Sequence, residues 1–148
     1  MKVFVDSSVL IEFENGRRQA LLETLRNSEH ELYINGIVVS EYVYRLLGIL
    51  AEKSPMSVAE SGKIAETLDK HQTKLLLSTF EYLNISKKAM FLSIDFMKSY
   101  NLLPNDALIL ATCKLETIAI LASYDTDFTD ACQKENIKLI SKTEDFLL

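Results

Sequence analysis

Four carboxylates in this chain close or adjoin short apolar runs: Asp6 in MKVFVDSSVL, Glu41 in NGIVVSEYVY, Asp106 in LLPNDALIL and Asp125 in IAILASYDTD. Runs such as Val3-Phe4-Val5 and Ile118-Ala119-Ile120-Leu121 are continuous rather than alternating, which reads as strands buried on both faces. In open α/β sheets the ligand crevice lies just beyond the carboxyl ends of such strands. Acids that return to that position are candidates for one shared site. No Cys/His cluster competes for it, so the ligand that suits the pocket is a hard divalent cation.

The remaining pattern supports a parallel sheet. Lys2 to Val5 predicts a strand, followed by a helix that starts at Asp6-Ser7-Ser8 and stops near Asn15-Gly16. A second helix is expected over 17–27, a strand over 31–34 closed by Asn35-Gly36, and a long helix from about Ile37 to Glu52. Pro55 opens a helix through roughly Lys70, residues 71–80 read as helical, and 80–85 as a third strand. Helices over 86–100 and 105–116, a strand over 118–122, a short helix near 128–135 and a last strand over 137–140 complete the chain. Strands separated by helices mean βαβ units, hence a three-layer α/β/α domain around a central, mainly parallel sheet.

The length of 148 residues fits a single domain, 1–148. No apolar stretch approaches the ~20 residues of a membrane span, and no signal peptide is visible, so a cytoplasmic protein without membrane attachment is expected. Cys113 and Cys132 lack metal-type spacing and read as free thiols of a reducing compartment. The net charge of −5 argues against a broad basic surface that coats nucleic acid. Setting aside the four acids leaves the remainder one net negative charge, so acidity does not exclude a nuclease but requires it to use metal.

Each acid also has an ordinary explanation. Asp6 can be an N-cap, a role worth ~1 kcal/mol. Glu41 has Arg45 one turn on, in the favourable order for a helical ion pair, although its helix start looks buried. Asp106 sits where a helix dipole favours negative charge. Asp125 and Asp127 flank Thr126 in a polar turn, where aspartates gather. Ser7, Ser8 and Ser123 either orient a carboxylate or metal-bound water, or serve as caps and turn hydrogen bonds. His30 and His71 read as surface residues without a catalytic role. The pairs Arg17-Arg18 and Lys87-Lys88 read as solvated faces, with RNA-backbone contact the lesser option. Independent caps have no reason to recur at successive strand ends, and that recurrence favours a shared site.

The ordered set VFVDSSVLIEF, IVVSEYVYRLL, LLPNDALILATCKLE and ILASYDTDF resembles the PIN-domain nucleases, in particular the small prokaryotic toxin ribonucleases of VapC type. The likeness spans about the whole chain; residues 54–80 carry no signature and are expected to shape the substrate groove. The resemblance implies a metal-dependent endoribonuclease in which Asp6, Glu41, Asp106 and Asp125 hold one or two Mg²⁺ or Mn²⁺ ions. Asp6 is then the bridging ligand and Asp127 acts through water. A water activated by metal attacks the RNA phosphodiester in line. Carboxylates so close repel one another, so raised pKa values are expected in the empty pocket. A homodimer silenced by a cognate antitoxin is also implied, with an RNA-processing nuclease outside toxin–antitoxin pairs, or a non-catalytic PIN-like interaction module, as alternatives. A haloacid-dehalogenase phosphatase needs an acid where Ser8 stands, and a receiver domain needs an acidic neighbour for Asp6 and a lysine after a late strand.

Overall fold

The computed structural model describes residues 1–147; Leu148, the last residue of the expected domain, lies outside the described residues. The first apolar run forms β1 (Lys2–Val5), and Asp6 leads into α1 (Ser7–Glu14). Then come α2 (Gln19–Arg26), β2 (Glu31–Asn35), α3 (Gly36–Ala51), α4 (Pro55–Glu60), α5 (Ile64–Leu68), α6 (Thr73–Leu77) and β3 (Glu81–Leu83). The chain continues through α7 (Lys87–Tyr100), α8 (Pro104–Leu115), β4 (Ile120–Ala122), α9 (Phe128–Lys134) and β5 (Lys138–Ile140), with a final 3-10 turn at Thr143–Leu147.

The five strands form one parallel sheet in the order β3-β2-β1-β4-β5, flanked by helices, as the βαβ pattern predicts. β1 is central, and Val3, Phe4 and Val5 are wholly buried, which explains the unbroken apolar run. From β1 the chain builds outward through β2 and β3, then crosses to β4 and β5 on the other side. The reversal opens a crevice where β1 and β4 end side by side, in register at Val5 and Ala122. The backbone N–H of Asp6 extends that pairing by donating to the Ala122 carbonyl at 2.9 Å.

One helix differs from expectation. The helix predicted from Pro55 to about Lys70 is two, α4 and α5, because Gly62 adopts a φ of +68° and turns the chain between them. That left-handed conformation costs glycine little and other residues more. β3 is also shorter than the predicted 80–85 strand and is a largely exposed edge.

Two polar devices fix the long helix that carries Glu41. Asn35, fully buried, ends β2 and caps α3, its Oδ1 accepting from the N–H groups of Ile37 (3.1 Å) and Val38 (3.2 Å). Its Nδ2 donates to Thr112 Oγ1 on α8 at 3.3 Å. Farther along, the buried Tyr42 hydroxyl donates to Glu14 Oε1 on α1 at 2.6 Å, and burial plus this carboxylate push the phenol above its ordinary range. Glu14 also lies 3.0 Å from His71 Nε2. His71 is therefore not the free surface residue expected; it ties the α5–α6 turn to α1, a contact that 57 residues of separation hide from sequence reading. His30 stacks on Phe146. Cys113 and Cys132 are free and buried, and burial raises both thiols, Cys132 to about 12, which leaves them unreactive.

Asn35→Ala removes the α3 cap and the hydrogen bond that Thr112 Oγ1 accepts, although that hydroxyl still donates to the Leu108 carbonyl at 2.7 Å. A loss of about 1–3 kcal/mol in stability is expected, read as a lowered denaturant midpoint with unchanged m value.

Candidate metal centre

Asp6, at the end of β1, is only 4 % exposed, yet its side chain makes no helix-capping bond. Its Oδ2 accepts instead from two hydroxyls, Ser8 Oγ and Ser123 Oγ, each at 2.7 Å. Both serines are themselves pinned: Ser8 Oγ accepts from the Tyr124 N–H at 3.1 Å and Ser123 Oγ from the Asp125 N–H at 3.0 Å. The hydroxyls thus orient the Asp6 carboxylate and lock the loop after β4 against the start of α1.

Glu41 reaches the same crevice from the second turn of α3. Ser7 Oγ donates to its Oε1 at 3.3 Å, and the Asn105 side chain lies near enough to favour its charged form. Among the described residues it forms no ion pair with Arg45, so the surface-pair explanation does not hold. Burial raises the Glu41 carboxyl, aided by the charges of Asp6 and Asp125 and opposed by Asn105 and the Ser7 hydrogen bond. Asn105 was not singled out from the sequence; its place beside Asp106 at the helix start was the available signal.

Asp106 lies in the first turn of α8. The helix dipole favours its charge by about 0.3–1 kcal/mol. Burial and the charges of Asp125, Asp6, Glu41 and Asp127 outweigh that and push its carboxyl up to about 7. Asp125 Oδ1 accepts from the Asp127 N–H at 2.9 Å, which folds the turn so that both acids face the crevice. Asp127 holds the N-cap position of α9 but makes no side-chain cap bond.

The crevice therefore gathers Asp6, Glu41, Asp106, Asp125 and Asp127. Among the described residues, the group of three with carboxylate oxygens all within 4.8 Å of one another is Asp106, Asp125 and Asp127. Asp127, expected to act through water, stands as near as its two partners. Asp6, expected to bridge, has one oxygen occupied by two hydroxyls. A dication fits here because it offsets the burial and mutual repulsion that raise Asp106, and hard oxygen donors are what Mg²⁺ and Mn²⁺ take. Outside the acids, a groove of about 530 Å³ runs past Ser7, Ser8, Glu41 and Asp125, and Arg17, Arg18 and Arg45 line it as well. Arg17-Arg18 is thus not simply a solvated face, whereas Lys87-Lys88 is exposed on α7.

The model of the PIN domain matches residues 3–134. This chain belongs to the PIN-domain family. The PIN domain is 35 % identical over 129 residues to Ribonuclease VapC2 of Methanocaldococcus jannaschii, covering 86 % of this chain and 87 % of that protein. In fold it is similar to VapBC2 from Rickettsia felis, solved bound to a DNA fragment from their promoter, with TM-score 0.64 at 21 % identity over 95 % of this chain and 98 % of that one. It is similar also to Mycobacterium tuberculosis VapC20, described as a sarcin-ricin loop cleaving toxin, with TM-score 0.61 at 13 % identity over 87 % and 94 % of the two chains. In this PIN domain Asp6, Glu41, Asp106, Asp125 and Asp127 lie near enough to feel one another's charge, and Asp106, Asp125 and Asp127 are close enough to share an ion.

The raised Asp106 pKa sets a pH dependence. The folded protein keeps this proton up to about pH 7, whereas an unfolded chain sheds it near 3.8, so the folded state binds more protons between those values. Stability of the EDTA-treated protein should fall as pH rises across that window, and Asp106→Asn should flatten the fall in thermal melts. At a hundredfold excess over its Kd, Mn²⁺ should raise Tm by about 5–10 °C at pH 8 and less at pH 5.5, where protons compete. Equal shifts at both pH values would contradict the assignment.

Proposed function

We propose that this PIN domain is a metal-dependent endoribonuclease that hydrolyses RNA phosphodiester bonds, the toxin of a VapBC-type toxin–antitoxin pair. The observation that carries the reading is the convergence of five carboxylates from four separate segments at the β1/β4 crevice. The VapC ribonucleases among its relatives support the substrate class, and the VapBC complexes among its structural neighbours support an antitoxin partner. A non-catalytic interaction module would have no use for Asp106 held at this cost, next to four other acids.

Asp106, Asp125 and Asp127 are the residues that would hold Mg²⁺ or Mn²⁺, joined by Asp6 and Glu41 if a second ion binds. The ion supplies an activated water and positive charge for the phosphate and leaving oxygen. Asp106 would have to be deprotonated to hold the ion. Asp6 offers its Oδ1, since Ser8 and Ser123 engage the other oxygen, and the two hydroxyls keep that carboxylate from rotating away. Glu41, held by Ser7, faces the groove and orients water or phosphate at its mouth. We also infer a single-domain, cytoplasmic homodimer. No helix among the described residues is long and apolar enough to cross a membrane. Met90, Phe91 and Ile94 share an exposed apolar face of α7 that a second subunit would cover.

Incubation of total RNA with the wild-type protein should give cleavage with Mg²⁺ or Mn²⁺ and none with EDTA. Asp6→Ala and Asp106→Ala should reduce it to background, and Ser123→Ala, which loosens Asp6, by roughly 10- to 100-fold. Cleavage that survives the two aspartate substitutions would overturn the mechanism.

A further inference from the structure

The chain has four arginines, and three of them, Arg17, Arg18 and Arg45, line the groove that opens on the acid cluster; none of its twelve lysines does. They come from the α1–α2 loop and from α3, so no single helix face explains their meeting. All three are exposed, and among the described residues none is ion-paired. Arginine differs from lysine in presenting a flat fork that grips phosphate with two parallel bonds and stacks on rings.

Arg18 is held in a specific way. Its guanidinium lies 4.7 Å from the centroid of the Tyr124 ring, and the Tyr124 hydroxyl donates back to the Arg18 carbonyl at 2.9 Å. Tyr124 is half-buried and its N–H is bonded to Ser8, one of the hydroxyls on Asp6. The ring and its hydroxyl therefore hold Arg18 at the groove, beside the loop that carries Asp125. The groove also continues on both sides. A neighbouring cavity of about 440 Å³ shares Arg17 and Arg45 and adds Lys53 and the exposed Tyr44. Another of about 350 Å³ shares Arg18, Tyr124 and Asp125. The three arginines and Lys53 thus line the groove and the cavities that adjoin it.

We propose that these arginines form a track for the RNA substrate, in which Arg17 and Arg45 grip backbone phosphates and Arg18, held against Tyr124, stacks a base. The proposal rests on the endoribonuclease reading and adds which side chains of this protein hold the RNA and by which contacts. A base can lie on a guanidinium plane only when it is free of its own stack. Phosphates passing so many carboxylates also need fixed positive charge beside them as well as bound metal.

The test is fluorescence anisotropy of a labelled single-stranded 12-mer RNA, titrated at several salt concentrations with Ca²⁺ present and the RNA recovered intact. Arg17→Gln and Arg45→Gln should each lower the slope of log Kd against log salt by about 0.7. Arg18→Lys keeps the charge, so the slope should stay while binding weakens roughly 5- to 150-fold, the range of one lost stacking contact. An unchanged Mn²⁺-induced rise in Tm in each variant shows the carboxylates to be intact. If the wild type cleaves RNA and all three variants bind it like wild type, the track is wrong and the nuclease reading stands. If the wild type neither binds nor cleaves RNA, the nuclease reading falls and the track falls with it.

Discussion

Mutual repulsion among five carboxylates at the end of a parallel sheet is the constraint around which this molecule is organised. Carboxylates that could reach water freely would stay near their ordinary pKa. Here burial and neighbouring charge hold the Asp106 proton to about pH 7, and they raise Glu41 as well. A fold carries such a cluster only if other interactions keep the acids from swinging apart, and only a positive ion or protons can relieve it.

The scaffold supplies that restraint in layers. The crossing of the chain between β1 and β4 places Asp6 and the Asp125 turn on adjacent strand ends. Ser8 and Ser123 then bind one oxygen of Asp6 and are fixed by backbone N–H groups of the neighbouring loop. Asn35 sets where α3 begins and Tyr42 bonds α3 to α1, so that Glu41 enters at a fixed height. Positive charge is kept at the rim, on Arg17, Arg18 and Arg45, rather than among the acids. Arginines inside the cluster would neutralise it and compete with metal.

Much of this was legible in the sequence. Val3-Phe4-Val5 and Ile120-Leu121-Ala122 are apolar because central parallel strands are covered on both faces, and the acids that follow them had to emerge at one sheet edge; the predicted start at Ile118 falls before the strand, where Ala119 is exposed. What sequence could not give was side-chain aim. Asp6 looks like a helix cap, and only the coordinates reveal its carboxylate turned away from the helix toward two serines. Asp127 looks like a peripheral companion, yet the Asx-type bond to Asp125 brings it as close as the others. Arg17-Arg18, His71 and Asn105 depend on contacts between segments distant in the chain, and local patterns carry no trace of those. The break in the predicted helix after Pro55 was in principle readable from Ser61-Gly62, a glycine that tolerates the left-handed turn.

The most direct measurement of whether these acids grip a cation is a crystal of the protein soaked in Mn²⁺ near pH 8 and examined by anomalous scattering. A strong manganese peak among the carboxylates of Asp106, Asp125 and Asp127 is the expected result. A crevice without manganese under those conditions, or manganese bound only elsewhere on the surface, would contradict the metal-centred reading of this site.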